Sequence, residues 1–401
     1  MIIAICAPVD IHALARFKGV DFTDIPRGMG STATTPLVIE FLRRGHEVVI
    51  YTLSYALEKP IDVSWGNLRL VVGSSRQFGA ARSFYWPEIK FLQKAISADS
   101  PAFVHAHWTY EFALGALLSG VPTFITIHDL PWNVLRYFRD RCRTVRLLMA
   151  YAVSLKGRSY SAVSRDAARH FSRYLRPGAE VEVIPNFLSD LVVGKSKGPR
   201  LHPDRALVFA CVIQGWTARK NAGAALRAFA KFNRAYPESR LLMIGHDYQE
   251  GGGACLWAQK QNLTRGVNFV GPLEYPAMLD RVVADVDVLL MPSLDEAFSM
   301  TVLENMALAN PIIAGNTTPG IREQLADGQA GLIVNVRSPD AIFSAMVRLQ
   351  TDKELFQQIS ASAHRRALTE FTAEQVVPKY EQWYSNSIRH RSLPPARGEQ
   401  C

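Results

Sequence analysis

Two glutamates, Glu296 and Glu304, lie eight positions apart in the stretch Asp295-Glu296-Ala297-Phe298-Ser299-Met300-Thr301-Val302-Leu303-Glu304. The stretch follows the apolar run Val286-Asp287-Val288-Leu289-Leu290-Met291. Together they read as a buried strand, a short loop holding Glu296, and a helix whose early turns carry Glu304. Two carboxylates at such a place repel phosphate but accept hydrogen bonds from sugar or ribose hydroxyls. Cations come from a second stretch, Gly215-Trp216-Thr217-Ala218-Arg219-Lys220-Asn221, which opens another helix. Adjacent Arg219 and Lys220 oppose the helix dipole and cost stability unless an anion sits between them. A diphosphate is the natural anion.

Other polar groups fall at equivalent points of the chain. Arg27-Gly28-Met29-Gly30-Ser31-Thr32 precedes a helix, where glycines let backbone N–H groups approach a phosphate or sugar. It is not GxGxxG, so a dinucleotide fold is not indicated. His105 and His107 close one strand and His128-Asp129 closes the next, placing them toward the carboxyl ends where α/β domains bind ligands. A satisfied core role weighs more for His105 and His107 than for His128. Thr317 to Glu323 follow a strand at 311–314 and could lend N–H groups to the same cleft. Asp285 and Asp287 begin their strand, at the end away from the cleft, which favours a structural role over a metal site.

The elements that must carry these groups follow from the alternation of apolar runs with helical patterns, the mark of parallel sheets with crossover helices. With 401 residues the chain exceeds one ordinary core. Strands are expected at 2–7, 47–52, 68–72, 103–107, 123–128, 160–163 and 181–184. The pattern restarts at 206–213, 240–244, 267–270, the run ending at Met291, 311–314 and 331–334. The predicted organisation is a first domain over 1–188, a linker over 189–205, a second domain over 206–372, a last amphipathic helix over 373–388, and a disordered tail over 389–401.

Composition narrows the class. Hydrophobic content of 48% with 20% charged residues fits a soluble globular chain. The net charge of +9 favours acidic partners such as phosphates or anionic lipid, and the absence of any reader motif argues against nucleic acid. Cys6, Cys142, Cys211, Cys255 and Cys401 are scattered, without metal-ligand spacing, so no structural metal or cofactor is expected. The first residues lack a basic n-region, and the longest apolar run, 112–127, is broken by Gly115, Gly120 and Pro122. A cytoplasmic location is therefore expected. Arg136, Arg139, Arg141, Arg143 and Arg146 interleave with apolar residues on what reads as one helix over 134–156, suited to an anionic membrane surface at the inner face.

The order and spacing of these stretches are similar to the retaining GT-B glycosyltransferases of the "group 1" family, also called family four. The resemblance runs from the Gly28/Gly30 loop through His128-Asp129, Ser164-Arg165, Ile184-Pro185-Asn186, Arg219-Lys220, Pro292-Ser293 and Glu296–Glu304 with Asn305-Met306-Ala307, to Asp327-Gly328. It implies an α/β GT-B fold, two Rossmann-like domains facing across a cleft. It also implies a nucleotide-sugar donor, UDP or GDP linked, on the second domain. Glu304 would bind ribose hydroxyls and Glu296 those of the donor sugar. Lys220 and Arg219 would hold the diphosphate, with N–H groups of Phe298, Ser299, Met300 and Thr301 nearby, while His128 would lie beside the sugar and Gly30 beside the phosphate. The implied reaction is metal-independent transfer, with retention, to a lipid-linked or polysaccharide acceptor; the alternative is a non-catalytic GT-B partner subunit that binds nucleotide sugar or glycan. Trp216 stands where the family usually has arginine, Ser299 where it commonly has glycine, and Pro319 in a usual Gly-Gly pair.

Overall fold

Two parallel sheets form, one in each half, because the buried apolar runs are short and each is followed by a helix that packs back on the sheet. The computed structural model describes residues 1–392, apart from Asp24 and Ala56. The first sheet contains β1 (Ile2–Cys6), β2 (Glu47–Tyr55), β3 (Ile61–Trp65), β4 (Leu68–Ser75), β5 (Val104–His107), β6 (Thr123–Ile127), β7 (Ser159–Ala162) and β8 (Glu182–Val183), in the order β3-β4-β2-β1-β5-β6-β7-β8. Its pairs are parallel except β3 with β4, an antiparallel hairpin at the edge. The second sheet contains β9 (Val208–Val212), β10 (Arg240–Ile244), β11 (Val267–Gly271), β12 (Val288–Met291), β13 (Ile312–Gly315) and β14 (Leu332–Val334), all parallel, in the order β11-β10-β9-β12-β13-β14.

Strand order reverses between β1 and β5 in the first sheet and between β9 and β12 in the second. Connections leave in opposite directions at such a switch point and open a crevice beyond the carboxyl ends of the strands. The loops after β1, β5, β9 and β12 are therefore the ones that can build a site.

The first domain carries α1 (Ile11–Lys18), α2 (Thr34–Arg43), α3 (Trp86–Asp99), α4 (Glu111–Leu118), α5 (Pro131–Phe138), α6 (Arg141–Lys156) and α7 (Arg165–Tyr174). A short α8 (Asp190–Val193) follows, then α9 (Ala222–Ala235), α10 (Gly253–Lys260), α11 (Tyr275–Asp285), α12 (Met300–Ala307), α13 (Pro319–Gln324), α14 (Pro339–Thr351) and α15 (Lys353–Glu370). The last helix, α16 (Ala373–Ser392), returns to the first domain, where Tyr380, Trp383 and Tyr384 are buried in the same apolar cluster as Phe41, Phe103 and Phe124.

Several expectations need correcting. The helix expected over 134–156 is two helices. Arg139 adopts φ 46°, closing α5, and the Asp140 carboxylate accepts the Arg143 N–H as the N-cap of α6. A side chain that satisfies an orphan N–H competes with helix continuation. The 189–205 segment holds α8 and packs on the second domain, with the Arg200 guanidinium donating to the carbonyls of Val286 (2.6 Å), Val283 and Leu308. Helix α16 extends to Ser392, into the segment expected to be a disordered tail, and residues 393–401 lie outside the described residues. Asp287, by contrast, has the structural setting expected of it, accepting from Arg205 at 2.6 Å and from the Val208 N–H at 2.8 Å just before its strand.

His105 is a core residue. Its Nε2 lies 2.7 Å from Thr126 Oγ1 and its Nδ1 lies 2.7 Å from the Tyr384 hydroxyl, tying α16 to β5. Burial pushes its pKa down to about 3, so the ring is neutral. Tyr384→Phe leaves one ring nitrogen buried without a partner, and chemical denaturation is expected to show a loss of about 1–3 kcal/mol.

Candidate active site

The loop after β12 is held from three sides. Ser299, the N-cap of α12, accepts the Val302 N–H, while its own N–H donates to Gln324 Oε1 at 2.8 Å and its carbonyl accepts from Gln324 Nε2 at 3.0 Å. The serine that replaces a common glycine is thus a fastening point, and its N–H is not available to a phosphate. Met300 and Thr301 keep the first N–H groups of the helix, which have no intrahelical partner. Gly320 of α13 lies against the same loop, where an added Cβ would come within 2.1 Å of the Ala297 carbonyl oxygen. From the first domain, the buried Ser164 hydroxyl donates to that carbonyl at 2.7 Å.

The loop's acids meet the cations that follow β9. Lys220 Nζ lies 2.5 Å from Glu296 Oε1, and Arg219 Nη1 lies 3.6 Å from the Asp295 carboxylate. Burial pushes Glu296 up, but Lys220 and Arg219 outweigh it and hold the carboxyl below its usual range. Burial also pushes Asp295 up to about 6, although Asn133 of α5 donates to its Oδ1 at 2.8 Å across the cleft. Glu304 is almost fully buried and accepts from the Tyr275 hydroxyl at 2.7 Å. Its burial raises the pKa to about 7, partly offset by that hydrogen bond.

The first domain supplies the facing wall. His128 Nε2 lies 2.9 Å from His107 Nδ1, and Trp108, itself at φ 63°, stacks on the His128 ring at 4.3 Å. Burial takes His128 down to about 3, so it is a neutral hydrogen-bonding group at neutral pH. Gly28 has φ 81° and room for no Cβ, which would sit 2.5 Å from the Val9 oxygen. The Gly30 N–H donates to that oxygen at 3.1 Å, so the loop is anchored by the N–H expected to meet phosphate. Arg27 crosses to Glu274 at 2.7 Å.

These walls enclose a cavity of about 420 Å³. Of the residues expected from sequence, Gly30, His128, Arg219, Glu296, Phe298 and Met300 line it. Lys220, Ser299, Thr301 and Glu304 do not; Lys220 stands beside Glu296, and Glu304 lies under Tyr275. Tyr110, Glu111, Asp129, Asn186 and Asp295 join the lining.

Arg146, read in the sequence as part of a surface face, turns inward. It lines this cavity and a smaller one of about 210 Å³ beside it, 3.7 Å from the Glu111 carboxylate and over the Tyr110 ring. Arg143 lines the smaller cavity and pairs with Asp140 at 2.9 Å. The inward turn was legible only through Asp140 as a helix start, which rotates α6 relative to α5. Trp216 points away from the cleft and packs on Trp257 and Tyr248, so it does not alter the lining.

Two outcomes follow. A carboxyl whose folded pKa is raised from 4.5 to about 7 loses its stabilising protonated form as pH rises through that window. Glu304→Gln is therefore expected to match the native protein below about pH 5 and to exceed its stability by on the order of 2 kcal/mol above about pH 8, measured by denaturation at several pH values. Gly320→Ala should displace the Glu296–Ala297 backbone and cut donor binding at least tenfold by calorimetry while keeping the native circular dichroism spectrum.

Comparison with known proteins agrees with this architecture. Residues 203–366 match the family "Glycosyl transferases group 1" and residues 30–190 match "Glycosyltransferase Family 4". The N-acetyl-alpha-D-glucosaminyl L-malate synthase of Bacillus anthracis is 24% identical over 380 residues, covering 90% of this chain and 95% of that protein. A D-inositol 3-phosphate glycosyltransferase of Segniliparus rotundus is 26% identical over 316 residues, 74% of this chain and 68% of that protein. Among solved structures, sucrose-phosphate synthase from Thermosynechococcus elongatus superposes with a TM-score of 0.76 at 15% identity, over 97% of this chain and 100% of that one. Anabaena HepE, in complex with UDP and glucose, gives 0.65 at 14% identity, over 96% and 100%. With one family model on each half and a shared two-domain architecture along nearly its whole length, this chain belongs to the group 1 glycosyltransferases of the GT-B fold.

Proposed function

We propose that the protein moves a sugar, with retention of configuration, from a nucleoside-diphosphate sugar to a glycan or lipid-linked acceptor. The carrying observation is the cavity where Arg219 and Glu296 of the second domain face His128 and Asp129 of the first. As the sugar leaves, it becomes oxocarbenium-like and negative charge grows on the β-phosphate. Arg219, Lys220 and the N–H groups that open α12 suit that charge, and two fixed cations there supply what a divalent metal would otherwise provide. Glu296 would take hydroxyls of the transferred sugar and Glu304 those of the ribose. Two of the cavity's carboxylates are engaged by neighbours, Glu296 by Lys220 and Asp295 by Asn133 and Arg219, while Asp129 and Glu111 also line it. In this reading the leaving phosphate takes up the proton of the acceptor on the same face.

A thermal-shift screen across UDP-, GDP-, ADP- and TDP-sugars identifies the donor, since a ligand stabilises in proportion to occupancy. With that donor, Lys220→Ala and Glu296→Ala are each expected to reduce transfer on the order of 10²-fold or more. Undiminished transfer would remove both residues from the site. Donor binding by the native chain without hydrolysis or transfer would favour the non-catalytic partner reading.

We also propose that the protein works at an anionic membrane surface. No helix among the described residues is long and apolar enough to cross a membrane. Exposed Phe84 and Trp86 flank Tyr85, whose hydroxyl meets Cys142 Sγ at the α6 start at 3.0 Å, and Arg136, Arg139 and Arg141 are exposed on α5 and at that start. Aromatic rings with flanking cations suit the lipid interface. Arg143 and Arg146, turned to the cavities, leave the set first assigned to that surface. Neutralising Arg136, Arg139 and Arg141 should weaken salt-sensitive binding to vesicles containing anionic lipid, and equal binding to neutral vesicles would refute the idea.

A further inference from the structure

Glu304 is the acid assigned to the donor ribose, yet a protein side chain already rests on it. Tyr275, the first residue of α11, places its hydroxyl 2.7 Å from Glu304 Oε1. Among the described residues no donor reaches Oε2. A carboxylate offers about four lone-pair sites, so one phenol leaves room for two sugar hydroxyls. The preceding residue, Glu274, holds Arg27 beside the Gly28–Gly30 loop at 2.7 Å. The start of α11 thus reaches Glu304 through Tyr275 and the facing domain through Glu274.

We infer that Tyr275 is a positioning residue for the donor: its phenol fixes Glu304 with one oxygen engaged and the other turned to the ribose. This rests on the assignment of Glu304 to the ribose. The surroundings of Glu304 make the phenol matter. Helices α8, α13 and α15 also pack on α12. Among the described residues none of them brings a charge to bear on the carboxyl; burial raises its pKa and the Tyr275 hydrogen bond lowers it. A buried carboxylate with no cation beside it depends on that one hydrogen bond to stay an acceptor. Once protonated, it offers a donor where the ribose hydroxyls need an acceptor. The Tyr275 ring also packs on the second domain's apolar core, a contact separate from the hydroxyl's hydrogen bond to Glu304.

Tyr275→Phe keeps the ring and removes the hydroxyl. The probes are UDP, GDP and ADP, of which the tightest is used, and its 2′-deoxy counterpart, titrated by calorimetry between about pH 6 and pH 9. The native chain is expected to prefer the ribonucleotide and to lose affinity as pH falls through about 7. Tyr275→Phe should bind about tenfold more weakly near pH 7, lose much of the ribo-over-deoxy preference, and shift its midpoint upward so that the gap narrows at alkaline pH. Donor KM should rise while kcat at saturation holds. Native affinity, preference and midpoint in the variant would overturn the inference. So would a native preference that does not change with pH, a reading that needs no variant to fold. Glu304→Gln separates the two claims: if it too retains the preference, the ribose assignment fails; if it loses the preference while Tyr275→Phe does not, only the role of Tyr275 fails.

Discussion

A carboxylate taken out of water must find a partner or give up its charge. That constraint organises the cleft. Glu296 is matched by Lys220, Asp295 by Asn133 and Arg219, and Glu304 by a phenol alone. The partners come from separate segments, so the acids can be buried only if the loops after β9 and β12 are neighbours and α5 reaches across from the other domain. The sheet order that puts β9 beside β12 is what makes the first of these true. Graded partnership also grades the chemistry. Glu296, paired with a full cation, stays ionised, while Asp295 and Glu304 sit near the point of taking up a proton.

The loops bearing these groups are held by small, specific devices rather than by bulk packing. Ser299 and Gln324 exchange two hydrogen bonds, Gly320 allows α13 to approach the Ala297 carbonyl, and Ser164 reaches that carbonyl from the first domain. Behind the cations, the Asp247 carboxylate accepts the Trp216 N–H at 3.0 Å, and the indole packs with Trp257. A residue that departs from the usual family pattern can therefore preserve the site by bracing its loop from behind.

Most of the sheet-and-helix alternation was legible because strand-like apolar runs and helix caps are local signals; the strand over Arg240–Ile244 matches its expected bounds. Helix α11 was not foreseen, since Pro276 reads as a breaker although it stands in the first turn, where proline is tolerated. With that helix went Tyr275, whose partner lies 29 positions away and leaves no local mark. The break at Arg139-Asp140 was masked by continuous amphipathic spacing, and with it the inward direction of Arg146. Glu296, Arg219, His128 and Gly30 were found because polar residues at the ends of apolar strands point to the cleft. Their mutual pairing was not, because pairing depends on which strands are adjacent, a property of the fold and not of any one segment.

The chain passes between its domains twice, outward after Leu188 and back after Phe371, and the two crossings are joined by a hydrogen bond from the Leu188 N–H to the Phe371 carbonyl at 2.8 Å. Two covalent connections side by side remove most of the freedom that a single tether would allow. Sliding and twisting of one domain against the other would stretch one crossing, whereas rotation about the line through both stretches neither. Any opening of the cleft would thereby be confined largely to rotation about that line, parting Arg27 from Glu274 and Asn133 from Asp295 together.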